Sequence, residues 1–394
     1  MQAPNSSEDP ALRLERLQGY LAGDPDNAAM RADVFDLALR LSSLEVAQAQ
    51  TTWALGRAPD DRSWRHRQAL LAMARGRWPE ADSLLQGLID EGEDSPAVAC
   101  NLAYVHFAVE RYAQAVSLLQ PLVVQQLEQA PQSLALLLRC LHRQGAVEEA
   151  LEVFARHADQ DPSADAFGVA SLLAVDAGEM RRAWAWSARA IERDPQQHEA
   201  LVARGTTLLG RRDAEGAMAC LNAALARHPE DGRTLSALAM ARLLQSDFDA
   251  AHEAFVQAVK YMPLHIGTWL GLGWCEVFRR QMPAAQLAFE NALDLDRNFG
   301  ESHGGLAVLQ ALRGQAEEAE ESIRRAHKLD PGGLSARYAQ AVLSGDVADP
   351  AKFQAIVRDA LGAHRDAEGR SLAELVLGRP RAAAVPAPGG RDLS

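Results

Sequence analysis

Lysine is almost missing from this chain. It stands at Lys260, Lys328 and Lys352 alone, so arginine carries nearly all of the positive charge. Acidic residues outnumber basic ones, 53 against 40, for a formal net charge of −13 over 394 residues. That balance excludes a surface built to track phosphates, whose affinity comes from clustered Lys and Arg. The pairs Arg211-Arg212, Arg279-Arg280 and Arg324-Arg325 are short, and fit helix ends or solvated outer faces. Aromatic residues make up 6% of the chain against 48% hydrophobic, so the apolar mass is mostly Ala and Leu. Such a composition suits helices better than sheets. No apolar run approaches the length that spans a bilayer. The segment Met1 to Pro10 is polar and acidic, without the basic and apolar parts of a signal peptide, so a cytoplasmic protein is expected. Only four cysteines occur, Cys100, Cys140, Cys220 and Cys275, far apart and with no CxxC pair. Buried reduced thiols are expected of them, and neither a disulfide framework nor a zinc site.

Signatures of catalysis are missing as well. There is no HExxH, GxSxG, Walker-type GxxxxGK or dinucleotide GxGxxG motif. Gly271-Leu272-Gly273 falls within a helical pattern, where packing explains it better than phosphate binding. The acidic pairs Glu148-Glu149 and Glu317-Glu318 recur at matching offsets before Ala150 and Ala319, at the start of helices whose dipole favours them. A catalytic carboxylate pair would not recur in this way. No enzyme activity, no cofactor and no metal are expected.

What the chain does have is a repeat. Pro195, Pro229, Pro263 and Pro331 lie on a 34-residue ruler, with Arg297 at the one broken mark. Between those marks the same residue types recur: Leu201, Gly205, Ala217, Leu221, Ala224; then Leu235, Ala239, Ala251, Phe255, Ala258; then Trp269, Gly273, Ala285, Phe289, Ala292. Ala54 to Pro59 keeps the same closing interval. Helix formers dominate between the landmarks and strand signals are lacking. Gly76, Gly145, Gly178 and Gly314 are expected at turns that need a positive φ.

A 34-residue unit with an aromatic or Leu, a small residue four later, two Ala seven apart and a closing Pro resembles the tetratricopeptide repeat. The resemblance implies an all-α fold, a right-handed α-solenoid of about nine helix-turn-helix units stacked on one another. The expected layout is an N-terminal capping helix over 1–24 with Leu12, Leu14, Leu17 and Leu21, then an array over 25–331. Diverged C-terminal capping helices over 332–378 follow, including Leu334 to Leu343, Phe353 to Leu361 and Arg370 to Leu377. Residues 379–394 form an Ala, Pro and Gly tail expected to be disordered.

The resemblance also implies that the first helix of each unit lines a concave groove that binds partners. Its inward positions transfer here to Tyr104 and Arg139, then to Val202 and Thr206, then to Arg233, Met240 and Leu243. Leu270, Trp274 and Val277 follow, and then Val308, with Gly304 as a small floor. A partner protein or peptide segment with apolar side chains is therefore expected, and Trp274 is its natural anchor, since the repeat pattern does not require it. Trp269 and His303 instead occupy a packing position. The Lys and Asn set with which one subgroup captures chaperone tails is lacking, Asn101 being the only groove Asn. Nucleic-acid binding and membrane insertion are not expected. The leading reading is a non-catalytic bacterial adaptor. The alternatives are a regulatory or substrate-presenting subunit of a separate enzyme, such as a glycosyl- or sulfotransferase, or a chaperone of secretion or envelope assembly. Self-assembly through an outward-facing Trp184 and Trp186 is a third.

Overall fold

A computed structural model describes residues 9–160 and 162–348. The expected helices Phe353 to Leu361 and Arg370 to Leu377, and the tail from residue 379, lie outside the described residues. All regular structure among the described residues is helical. The chain divides between Ala170 and Ser171 into two compact units.

In the first unit, α1 (Pro10–Gly23) precedes four helix pairs: α2 (Ala28–Arg40) with α3 (Leu44–Arg57), α4 (Arg62–Ala74) with α5 (Trp78–Asp90), α6 (Pro96–Ala108) with α7 (Tyr112–Gln125), and α8 (Gln132–Arg143) with α9 (Val147–His157). Leu14 and Leu21 of α1 are buried against Val34 and Phe35, whereas Leu12 is 58% exposed and takes no part in the cap. The division falls inside α10 (Ala164–Asp176), which pairs in the chain with α11 (Met180–Arg193). The second unit continues with α12 (His198–Gly210) and α13 (Ala214–Leu225), then α14 (Gly232–Leu244) and α15 (Phe248–Tyr261). After them come α16 (Ile266–Phe278) and α17 (Met282–Leu295), α18 (Gly300–Leu312) and α19 (Ala316–Leu329), then α20 (Leu334–Ser344) and a short 3-10 turn over Asp346–Ala348.

Each pair is built the same way. Two residues after the closing mark, the side chain of Asn27, Asp61, Gln197, Asp231 or His265 accepts a hydrogen bond from a backbone N–H three residues on, capping a first helix. One such cap contributes about 1 kcal/mol. The turn inside each pair passes through a left-handed residue. Gly76, Gly145, Gly178 and Gly314 fill it as expected, but Ser42, Glu110, Arg212, Ser246 and Arg280 hold the same conformation, with φ of 56–61°. For a residue with a Cβ that costs about 1–2 kcal/mol.

The small residues then set how closely helices approach. Ala217, Ala251, Ala285 and Ala319 are fully buried, as are Leu221, Phe255 and Phe289 four residues on. A Cβ on Gly205 would stand 2.7 Å from the Leu221 side chain, and one on Gly271 2.6 Å from the Phe255 ring. Phe289 is gripped between two glycines: a Cβ on Gly273 would overlap its ring, and one on Gly305 would lie 2.6 Å from it. These glycines are therefore helix-contact residues, Gly271 and Gly273 included. At the broken mark the architecture holds by backbone chemistry. Trp269 Nε1 donates to the Pro263 carbonyl at 2.8 Å, and one repeat later His303 Nε2 makes the same bond to the Arg297 carbonyl at 2.9 Å.

Candidate partner-binding face

The first helices carry the candidate positions, and the two units present different chemistry there. In the first unit, residues of α6, α8 and α10 line a cavity of 380 Å³: Cys100, Asn101, Tyr104 and Phe107 with Gln132, Arg139 and Asp165. The sequence-expected Tyr104 and Arg139 are thus brought to one hollow. Tyr104 is 46% exposed, and its ring lies 6.3 Å from that of Trp78. The Asn101 amide meets His66 Nε2 at 2.9 Å. Burial and the neighbouring Arg67 push the His66 imidazole down, which favours the neutral ring as acceptor. Burial also pushes the Cys100 thiol up, so it stands as a protonated packing group.

In the second unit the corresponding face is apolar. Met240 is 44% exposed, and Leu243, Leu270, Trp274 and Val277 are half-buried. Trp274 touches Phe289 and Tyr338 with ring centroids 6.2 and 5.8 Å away, so it belongs to the packing of α16 and still reaches the surface. Thr206 spends its hydroxyl on the Val202 carbonyl at 2.9 Å. Arg233 is engaged as well, by both oxygens of Asp176, one of them at 3.1 Å, tying α14 to the end of α10.

Two expected contact residues are closed off. Val202 is 1% exposed because it packs with Leu201, Ala224 and Leu172. Val308 is fully buried because α20 lies over α18, where Val308 joins Ala311, Ala339, Tyr338 and Val342 in one cluster. Gly304 permits this approach: a Cβ there would stand 2.7 Å from Ser335 and 3.0 Å from the Ala336 nitrogen. Glu301 secures the seat by accepting from the Ser335 hydroxyl and backbone at the start of α20. The small floor at Gly304 is therefore covered by this helix. Trp184 and Trp186 are not an open patch either. Both are half-buried, and Trp184 has the guanidinium of Arg204 at 3.6 Å and that of Arg211 at 3.7 Å from its ring centroid.

The structure adds residues that the sequence pattern passed over. Leu244, Phe278 and Leu312 end three successive first helices at 34-residue spacing, each between 42% and 52% exposed. Their period was the available signal; Leu244 and Phe278 each stand one place beyond the last expected inward position of their helix. Glu276, 1% exposed, meets His252 Nδ1 and pairs with Arg279 at 3.0 Å. Cys140 and Cys275 are buried thiols pushed up to about 12 and about 11 by burial. No group of three or more His, Cys, Asp or Glu among the described residues is arranged to hold a metal ion. No helix among them is long and apolar enough to cross a membrane.

Stacked helix pairs joined by small-residue contacts define a helical-repeat protein. The tetratricopeptide repeat family model matches residues 35–96, 100–165 and 270–333, and these stretches are tetratricopeptide repeats. The unmatched stretch between 166 and 269 holds helix pairs α10 to α15, with Ala217 and Ala251 as fully buried as Ala285. No curated protein matches the chain in sequence. Among solved structures it is similar to pilF of Pseudomonas aeruginosa, with 19% identity over 54% of this chain and 98% of that one, at a TM-score of 0.44. A tetratricopeptide repeat protein from Parabacteroides merdae is similar at 15% identity, over 64% and 99%, with a TM-score of 0.43. YrrB, described as a repeat protein with an unusual peptide-binding site, is similar at 19% identity over 48% and 99%, with a TM-score of 0.38.

Proposed function

We propose that this chain is an adaptor that binds an apolar segment of a partner protein along α14 and α16 in its second unit. Its repeats make it a protein-interaction scaffold in general terms, and proteins of this family are generally non-catalytic. The observation that carries the finer reading is the strip of Met240, Leu243, Leu270, Trp274 and Val277, apolar and still open to solvent on consecutive first helices. Apolar surface of this kind, with an aromatic at its centre, is where binding energy concentrates. Thr206 and Arg233 border it, and their engaged polar groups leave orientation rather than affinity to them. In the first unit, Tyr104 and Arg139 bring polar groups to a hollow suited to the main chain or a charged side chain of the same kind of ligand.

The test is capture of partners from native lysate by the full chain and by Met240→Glu. Met240 is exposed enough for the fold to survive the change, and a buried charge at the interface should weaken binding about tenfold or more. Unchanged partners and affinities, with an unchanged melting curve, would remove the strip from the function.

A further inference from the structure

Four aromatic rings form a continuous ladder in the second unit. Phe248 stacks on Phe278 with centroids 5.4 Å apart and planes 21° from parallel. Phe278 lies 6.1 Å from Trp274, and Trp274 lies 5.8 Å from Tyr338. Phe278 is 52% exposed, and the other three rings are half-buried. The inter-helix gaps here are already filled by Phe255 and Phe289, both fully buried, so the ladder's outer edges serve no gap in the core. Rows of solvent-reaching rings suit proline in an extended segment, which is preformed and loses little entropy on docking.

The chain itself supplies such a segment. Beyond Ala348 another 46 residues follow, and positions 380–388 read Pro-Arg-Ala-Ala-Ala-Val-Pro-Ala-Pro. From Ala382 to Gly390 no side chain is charged. The attachment point is close to the ladder, since Tyr338 lies on α20 and the described chain ends ten residues later. The 36 residues between Ala348 and Val385 can span up to about 120 Å when extended, so reach does not limit docking. A tether of this kind gives an effective concentration on the order of millimolar, above that of a second copy in solution.

We propose that Val385 to Pro388 docks on the Phe248, Phe278, Trp274 and Tyr338 ladder, and that a partner segment must displace it. The inference rests on the reading of this face as a binding surface, and makes the chain's own C-terminal segment its resident competitor. Regulation then lies in the competition, because weak tethered docking discriminates against ligands that cannot outbid a millimolar rival.

Limited trypsin digestion of the full chain tests this at the Arg381–Ala382 bond. Docking should slow that cut about two- to tenfold relative to a Pro386→Ser/Pro388→Ser chain. Phe278→Ala should release the protection to the same rate, and combining the changes should add nothing. Equal rates in all four chains, with unchanged helical circular dichroism, would overturn the proposal. Protection that rises with protein concentration, together with a dimeric mass by light scattering, would also overturn it, by making the occupant the segment of a second copy. Loss of partner capture by Met240→Glu with Arg381 unprotected would overturn the docked segment while leaving the adaptor reading intact. Protection of Arg381 with no effect of Met240→Glu on capture would support the docked segment and reject the adaptor reading.

Discussion

The two units use glycine in opposite ways. In the first unit the helical glycines Gly19, Gly23 and Gly56 have open space where a Cβ would stand, and Gly87 meets only the tip of Arg65 at 3.5 Å. In the second, Gly205, Gly271, Gly273, Gly304 and Gly305 each sit against a side chain or backbone closer than any real Cβ could. The first unit tolerates these glycines where alanine would serve; at these five positions the second needs the missing atom so that Leu221, Phe255, Phe289 and α20 can come in, while its Gly210 is as open as Gly56. The same residue type is a conformational cost in one place and a packing device in the other.

The sharpest way to break that contrast is to add the atom back. Gly273→Leu should overpack the Phe289 ring and cost about 1–3 kcal/mol in the second unit, read as a lowered thermal midpoint. Gly56→Ala in the first unit should do the opposite and add about 0.5–1 kcal/mol, since helix propensity is the only term left. If both changes moved the midpoint the same way, packing would not be what separates the units. A smaller effect tests the turns. Arg280→Gly relieves the left-handed strain at φ 60° and should stabilise by about 1 kcal/mol, whereas Gly314→Ala at φ 75° should lose a similar amount.

The smallest effect is a pH dependence confined to the second unit. Burial pushes the Asp231 carboxyl up, but hydrogen bonds from His198 and Thr234 outweigh it and hold it at about 2 against an ordinary 3.8. Its hydrogen bond to Asp231 holds His198 above its ordinary 6.5, against burial. The Asp231 contribution is present above pH ~4 and fades as pH falls towards 2; the His198 contribution is full below pH ~6.5 and fades as pH rises through its raised value. His198→Gln should therefore lower the midpoint most between pH ~4 and 6, with the gap from the parent chain closing in alkaline buffer. A gap that stayed constant across that range would show the pair to be without linkage.

The fold was readable because its determinants are local and periodic. Ala217, Ala251, Ala285 and Ala319 announce helix contacts at a fixed interval, and those contacts exist wherever the interval is kept. Which candidate side chains stay exposed was less readable, because exposure depends on what a distant element does. Nothing at Val308 or Gly304 foretells that α20 will settle over α18, since that follows from the missing Cβ of Gly304 and the grip of Glu301 on Ser335. Trp184 looked free because the arginines that enclose it come from the next helix. Phe278 was missed for being one residue outside an inward-position rule, although it ends α16 at the same place as Leu244 ends α14.

Among the side chains that cap first helices, His265 differs from its carboxylate and amide counterparts. Its Nδ1 accepts from the Thr268 backbone at 3.1 Å, and a protonated ring nitrogen cannot accept. Burial and nearby Arg233 push its proton affinity down, which shields the cap at neutral pH. Acidification should consequently fray the leading turn of α16, beside Trp269 and Leu270, before it touches the turns held by Asn27 or Gln197. A repeat array wired this way would slacken locally, at one rung, in an acid environment.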